Sequence, residues 1–333
     1  MTFVFESFIT ASLIFLISLT HLYADEPSRI KSLDKMMYTI NPSLKLIGPV
    51  FNDQNDKLEK TKYVNSLVGL ILKSADEKAR KYLEAGDTQA YYAYLILGLA
   101  VPLHEGLYVH FRHVNVGICN VDSNNAELVK KSSPITYKIF KQYFKNAERP
   151  YFPNCEEIKE TNSTNQMIRG ADGTDLSIMQ ISIRWHFDDF LANRKYESVS
   201  QTFDYGFNLL LSGFDPVYRN ISDYKCILET SQKIKQQKIN YLNLIKGIWA
   251  GKYNSGSISQ TCRFADVNSP YRNHDIGFAK NIEKILNFSG TITPDYIGEL
   301  KLDGNYSLAI KEIVSNFKNN KNERTALSAI LSK

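Results

Sequence analysis

Hydrophobic positions recur at three-to-four-residue spacing over most of the chain. Across residues 58–85, Val64, Leu67, Val68, Ile71 and Leu72 fall on one stripe of a helix whose remaining positions are largely charged or polar. The pair Ala85-Gly86 ends it, with glycine available for a left-handed helix cap. Residues 88–101 are rich in Tyr and Leu on every side and run into Pro102, where the pattern predicts an end or a kink. A helix with no polar face belongs at the centre of a domain. Further amphipathic helices are predicted at 133–146, 198–211, 223–249, 278–287 and 307–332. Strand-like alternation is scarce, so the expected fold class is mainly α with at most a small β element.

Residues 113–175 differ in texture. They carry Pro134, Pro150 and Pro153 and a polar tract from Glu160 to Asn165, and read as a loop subdomain inserted into a helical domain spanning 88–288. A helical extension at 25–87 precedes that domain, and a helical segment at 289–333 follows it.

Composition narrows the classes. With 43% hydrophobic and 12% aromatic residues in 333, the chain is neither disordered, collagen-like nor a multi-span membrane protein. A net charge of +5 without a long Lys/Arg run lacks the clustered basic footprint of a nucleic-acid binder. The apolar run 8–22 is short for a membrane span and is followed by Ala24, so it reads as a signal peptide occupying 1–24, although Glu6 replaces the usual basic residue before it. The expected mature chain begins at Asp25, is periplasmic or secreted, and keeps no membrane span.

Four cysteines fit export. Cys119, Cys155, Cys226 and Cys262 lack the C-x-x-C spacing of zinc or redox sites, and both successive pairs are 36 residues apart. The favoured pairing is Cys119 with Cys155 and Cys226 with Cys262. Each loop closure would contribute roughly 3–4 kcal/mol by the chain-entropy model.

Three segments carry candidate chemistry. Glu105 lies at the end of the apolar helix, where poor solvation raises a carboxyl pKa as a general acid near neutral pH requires. The neighbouring histidines do not make a metal site: position 108 is Tyr where a zinc-protease helix needs its second His, and His110 and His113 lack an evident third ligand to join them. In the second segment, glycines lead into Ser177-Ile-Met-Gln180, where an amide at Gln180 must find partners within an apolar stretch. The third segment, Trp249-Ala-Gly-Lys-Tyr-Asn254, presents aromatic faces and an amide suited to sugar rings and N-acetyl groups.

In this order the segments resemble the soluble lytic transglycosylase and goose-type lysozyme superfamily, which has a glutamate ending an apolar helix, then Gly-Leu-Met-Gln, then Ala-Tyr-Asn-x-Gly. The likeness covers roughly residues 88–288. Three features depart from it: Ser177 stands in place of the motif's glycine, Gly106 in place of the serine after the glutamate, and 72 residues separate Glu105 from Ser177. The resemblance implies a lysozyme-like domain that cleaves the β-1,4 bond between N-acetylmuramic acid and N-acetylglucosamine in peptidoglycan glycan strands. Glu105 would serve as general acid and base. Ser177, Met179, Gln180, Tyr253 and Asn254 would line the substrate groove. The implied enzyme needs no metal or cofactor and acts as a monomer. A transglycosylase manages with one carboxylate, whereas inverting hydrolysis needs a second to activate water. Asp172 and Asp175 are the first candidates, followed by Asp188 and Asp189. The long insertion suggests a groove adapted to modified, for instance de-N-acetylated, peptidoglycan. The alternative reading is a non-catalytic peptidoglycan-binding or scaffolding protein of the cell envelope.

Overall fold

Helix α2, Thr88–Gly106, is the axis around which the other helices assemble, because its sequence leaves no face for water. Every residue from Ala90 to Leu103 is buried. Around it pack α1 (Lys57–Glu84), α4 (Tyr241–Ile248), α5 (Arg272–Leu286) and α6 (Gly304–Asn319), while α3 (Val199–Arg219) lies against α1 and α4, and α7 (Thr325–Leu331) against α6 and α1. These features come from a computed structural model that describes residues 46–52, 56–113, 165–168, 175–182, 185–230, 237–294 and 297–333. All of them fall within the unit formed by 45–114 and 165–333. The predicted signal peptide, the Cys119–Cys155 pair, the helix at 133–146 and Asp172 lie outside the described residues. The architecture is mainly α. Among the described residues no helix is long and apolar enough to cross a membrane.

Local sequence accounts for the helix ends. Asp56 caps α1 by accepting the Glu59 amide at 2.8 Å, and the stripe from Val64 to Ala79 turns inward. The helix stops at Ala85, followed by Gly86 at φ +83°, as the spacing predicts. Asp87 then caps α2 through the Ala90 amide, and its carboxylate also receives the Tyr218 and Tyr241 hydroxyls, tying together the ends of α2, α3 and α4. The boundary drawn at residue 88 thus separates two helices that pack on each other.

Pro102 does not end α2. Proline removes one amide donor, but the helix runs one further turn, and its carbonyl accepts the amides of Leu107 and Tyr108, both left-handed (φ 50° and 61°). The predicted helix over 223–249 is also corrected: among its described residues only Tyr241–Ile248 is α-helical, capped by Asn240. Upstream, Leu228–Thr230 (β6) pairs antiparallel with Gln237–Ile239 (β7), and Cys226 is held to Cys262 by a disulfide, which prevents the segment from coiling through. The predicted helix 307–332 is two helices, because Asn320 turns left-handed and the Glu312 carboxylate caps α7 at Ala326 and Leu327.

The β structure is confined to small pieces. Val50–Asn52 (β1) runs parallel to Phe111–His113 (β2), which pairs antiparallel with Asn165–Met167 (β3). Asp175–Leu176 (β4) and Ile181–Ser182 (β5) form a hairpin, and Thr291–Ile292 (β8) pairs with Leu300–Lys301 (β9). A buried charge cluster holds the C-terminal helices: Asp76 of α1, 1% exposed, accepts from Arg80, Arg324 and the Tyr91 hydroxyl. Such a charge is tolerable only because it is paired.

Candidate active site

Glu105 sits on the last turn of α2, half-buried. Its Oε1 accepts a hydrogen bond from the indole Nε1 of Trp249 at 2.6 Å. Burial pushes the Glu105 carboxyl up to about 7; the Trp249 N–H opposes this by favouring the anion, and the nearby charge of Asp175 adds to it. Trp249 is held on several sides. It stacks on Phe278 (4.5 Å between ring centroids, 12° between planes), meets the edge of His104 at 4.9 Å, and has the Arg263 guanidinium 5.8 Å from its ring. Arg263 is itself buried and paired with Asp275 at 2.7 Å. The indole is 1% exposed. It therefore offers no open face to a sugar, unlike the sequence expectation, and acts on the carboxylate instead.

The second segment, Ser177 to Gln180, is the turn of the β4–β5 hairpin. Ser177 and Gln180 both have left-handed backbone (φ 74° and 46°), and the Ser177 carbonyl accepts the Gln180 amide and its side-chain Nε2, the latter at 2.6 Å. The turn presses on the end of α2. A Cβ added to Gly106 would meet the carbonyl oxygen of Ile178 at 2.5 Å, so glycine is what lets the hairpin approach Glu105. His110 braces the turn from behind. Its Nε2 lies 2.8 Å from the Tyr196 carbonyl and must carry the hydrogen, leaving Nδ1 to accept the Ile178 amide at 3.4 Å. Burial pushes its pKa down to about 4, so the ring is neutral near pH 7.

The third segment is a wide π-helical turn, Trp249–Asn254, that continues α4. Its Tyr253 hydroxyl donates to the Met179 carbonyl of the hairpin turn. Desolvation, with the charges of Glu105 and Asp175 nearby, keeps that hydroxyl protonated. The three segments thus touch pairwise: Glu105 with Trp249, Gly106 with Ile178, Met179 with Tyr253.

Individual candidates fall into distinct places. Gln180 and Tyr253 are partly exposed, and Asn254 is exposed at the end of its turn. The side chains of Ser177 and Met179 are fully buried, Met179 against Gly206 of α3, so they support the wall from behind and present no side-chain surface to a ligand. Asp175 is half-buried in β4, close enough to raise the proton affinity of both Glu105 and Tyr253. Asp188 and Asp189 are exposed on the turn Phe187–Ala192, where Asp189 acts on His186 and Tyr205. His104 packs on Trp249 and its Nδ1 pairs with Asn281 at 3.0 Å, while both nitrogens of His110 are engaged. Among the described residues no three His, Cys, Asp or Glu are grouped to hold a metal ion.

Sequence reasoning missed three residues here: Trp249 as the partner of Glu105, His110 as the brace, and Gly106 as the contact point. Only Gly106 left a trace, as a departure from the family pattern. Comparison with protein-family models, curated proteins and solved structures returned no significant match.

Proposed function

We propose that the chain is a peptidoglycan-cleaving glycosidase, exported to the periplasm or beyond, in which Glu105 is the general acid and base at the β-1,4 bond between N-acetylmuramic acid and N-acetylglucosamine. The observation that carries this reading is the half-buried Glu105, raised to about 7 and set against the Ser177–Gln180 turn and Tyr253. A carboxyl with this proton affinity is substantially protonated at neutral pH. It can give its proton to the leaving glycosidic oxygen and, once ionised, take one back.

The surrounding residues have definable work in that cycle. Asp175 favours the protonated acid before reaction, and Trp249 stabilises the carboxylate left after proton transfer. Tyr253, within electrostatic reach of Glu105, and the partly exposed Gln180 and exposed Asn254 on the adjoining turns would contact the glycan. In transglycosylation, the Glu105 carboxylate takes the proton of the sugar's own C6 hydroxyl as that oxygen attacks the anomeric carbon. In hydrolysis with inversion, Asp175 is the second carboxylate on the described part of the chain that lies within electrostatic reach of Glu105. The likeness of the three motifs to lytic transglycosylases and goose-type lysozymes supports the same assignment.

Digestion of acetylated and de-N-acetylated peptidoglycan by the full chain and by Glu105→Gln, with mass analysis of the fragments, tests it. Cleavage by the wild type and its loss in the variant are expected. Ends lighter by one water identify transglycosylation, and reducing ends identify hydrolysis. Binding of both polymers without cleavage would favour a scaffolding protein, and full activity of Glu105→Gln would remove Glu105 from the mechanism.

A further inference from the structure

The contact between Trp249 and Glu105 contains more information than proximity. An indole N–H can only donate, and here it is committed to one oxygen of the carboxyl, Oε1, at 2.6 Å. In a protonated carboxyl group the two oxygens differ. The carbonyl oxygen is a good acceptor, whereas the hydroxyl oxygen is a poor one and is itself a donor. A fixed donor at Oε1 therefore selects the form in which Oε1 is the carbonyl and the hydrogen sits on Oε2. The donor is fixed: Trp249 is stacked on Phe278, edged by His104 and flanked by Arg263, which the buried Asp275 holds through bonds at 2.7 and 3.2 Å. His104 is held in turn by Asn281.

We propose that Trp249 is a positioning residue that fixes which oxygen of Glu105 carries the transferable proton, keeping Oε1 as acceptor in both protonation states so that the hydrogen is held on, and returned to, Oε2. The catalytic consequence rests on the glycosidase reading above; the hydrogen-bond arrangement does not. In the forward step the Oε2–H bond breaks as the proton passes to the leaving glycosidic oxygen, and the bond electrons stay on the carboxylate. In transglycosylation the return step re-forms Oε2–H with the proton of the attacking C6 hydroxyl; in inverting hydrolysis the second carboxylate takes the proton of the attacking water, and Oε2 regains its hydrogen from solvent. Throughout, Oε1 stays engaged, so Glu105 has one competent oxygen and need not rotate between half-reactions. The other groups that act on Glu105 are Asp175 from β4 and Tyr253 from the π-helical turn, with His104 beside it on α2 and the Arg263–Asp275 pair behind the indole.

The chain has two tryptophans, Trp185 and Trp249, so its indole N–H groups give two signals in a 15N-labelled sample, assigned by Trp185→Phe. The Trp249 signal is expected to stay at a hydrogen-bonded shift at both pH 5 and pH 9, with a step between them that disappears in Glu105→Gln. A shift that loses its hydrogen-bonded character in the acid form, or a step that persists in Glu105→Gln, would overturn the assignment. This measurement keeps Trp249 in place and needs no enzymatic turnover. In the second arm, Trp249→Phe, confirmed as folded by its melting transition, is expected to lose about 10- to 100-fold in kcat on peptidoglycan with KM little changed, the size expected for one hydrogen bond to a charged group. Its upper pH limb should also move to higher pH, because the donor that favours the anion is gone; a merely structural role would not move that limb. Unchanged kcat in the variant would overturn the positioning role. If the wild type cleaves no peptidoglycan, the glycosidase reading fails, and the indole signal still decides the arrangement at Glu105.

Discussion

Gly106 and Ile178 meet backbone to backbone: a Cβ placed on Gly106 would lie 2.5 Å from the Ile178 carbonyl oxygen and 2.6 Å from its Cα. The last turn of the central helix and the tip of the β4–β5 hairpin are therefore in contact without an intervening side chain. That contact sets how near the hairpin comes to Glu105. Neither partner can give way by a rotamer change, because both are main chain.

Gly106→Ala should accordingly cost stability, by about 1–3 kcal/mol, as overpacking against rigid structure does. Gly304, at the start of α6 with nothing within 4 Å of an added Cβ and no positive φ, is the matched control. Gly304→Ala should be neutral or stabilising by up to about 1 kcal/mol, through a less flexible unfolded chain. Denaturant melts of both variants check the contrast, and equal effects would mean that the close approach at Ile178 is not a constraint.

Glu105 should leave a signature in the pH dependence of stability. The folded protein keeps the Glu105 proton until about pH 7, whereas an unfolded Glu releases it near 4.5. Between those values the folded state binds more protons, so raising the pH through the window favours unfolding. Glu105→Gln removes this penalty and still offers an acceptor to Trp249. The variant should therefore melt higher than wild type at pH 8, by up to about 3 kcal/mol, with the gap closing towards pH 4. A stabilised variant that is also inactive is the pattern of a site where function is kept at the expense of stability.

His110 works in the opposite direction over an overlapping range. Its folded pKa is lowered to about 4 against 6.5 in the unfolded chain, so the unfolded state takes up the proton first as the pH falls. Acidification from 6.5 to 4 thus removes up to about 3 kcal/mol. His110→Gln should be less stable than wild type at pH 7, having lost the paired contacts to Tyr196 and Ile178, and the difference should shrink as the pH approaches 4. Melting both proteins across this range gives the result, and a difference that does not change with pH would exclude a buried neutral His110.

The parts of this fold that could be read in advance are those governed by local pattern. The stripe from Val64 to Leu72 together with the Ala85-Gly86 pair places α1 within a residue or two of its observed bounds, because periodicity and the stop signal agree; the Asp56 cap was not read in advance. The all-apolar run after Thr88 placed α2 at the centre for a similar reason. What escaped depended on distant partners. Pro102 read as an end or a kink because proline lacks an amide donor, yet α2 runs on to Gly106 and closes where the Pro102 carbonyl accepts the amides of Leu107 and Tyr108, in a left-handed turn that no pattern announces. The stretch before Tyr241 looked helical because its apolar spacing fits a helix, but the Cys226–Cys262 bond and the β6–β7 pairing override that preference. At the site, an acid at the end of an apolar helix was legible from its place in the sequence pattern. Its partner Trp249, 144 residues away, was not, since only the packing of α5 and Arg263 turns that indole inward.

Ser177 offers a last test, because its backbone and its side chain pull in different directions. At φ 74° it occupies a region that costs an L-residue roughly 1–2 kcal/mol and costs glycine nothing comparable. Against that, its buried hydroxyl accepts the Met179 amide at 3.3 Å, a local bond that helps hold the turn. Ser177→Gly should relieve the strain and lose the bond, leaving stability unchanged or raised by up to about 1 kcal/mol. Ser177→Ala keeps the strain and leaves the Met179 amide without this acceptor, so it should lose about 1–2 kcal/mol. Combining Ser177→Gly with Gly106→Ser, which restores the arrangement of residues in the resembled family, should not recover the loss at Gly106, since the obstruction there is the Ile178 main chain. A double-mutant cycle by thermal melting measures this directly. Additive effects mean the two positions act independently on a rigid hairpin, whereas strong mutual rescue would mean that the hairpin slides along the end of α2 and that the position of Glu105 relative to Gln180 and Tyr253 is adjustable.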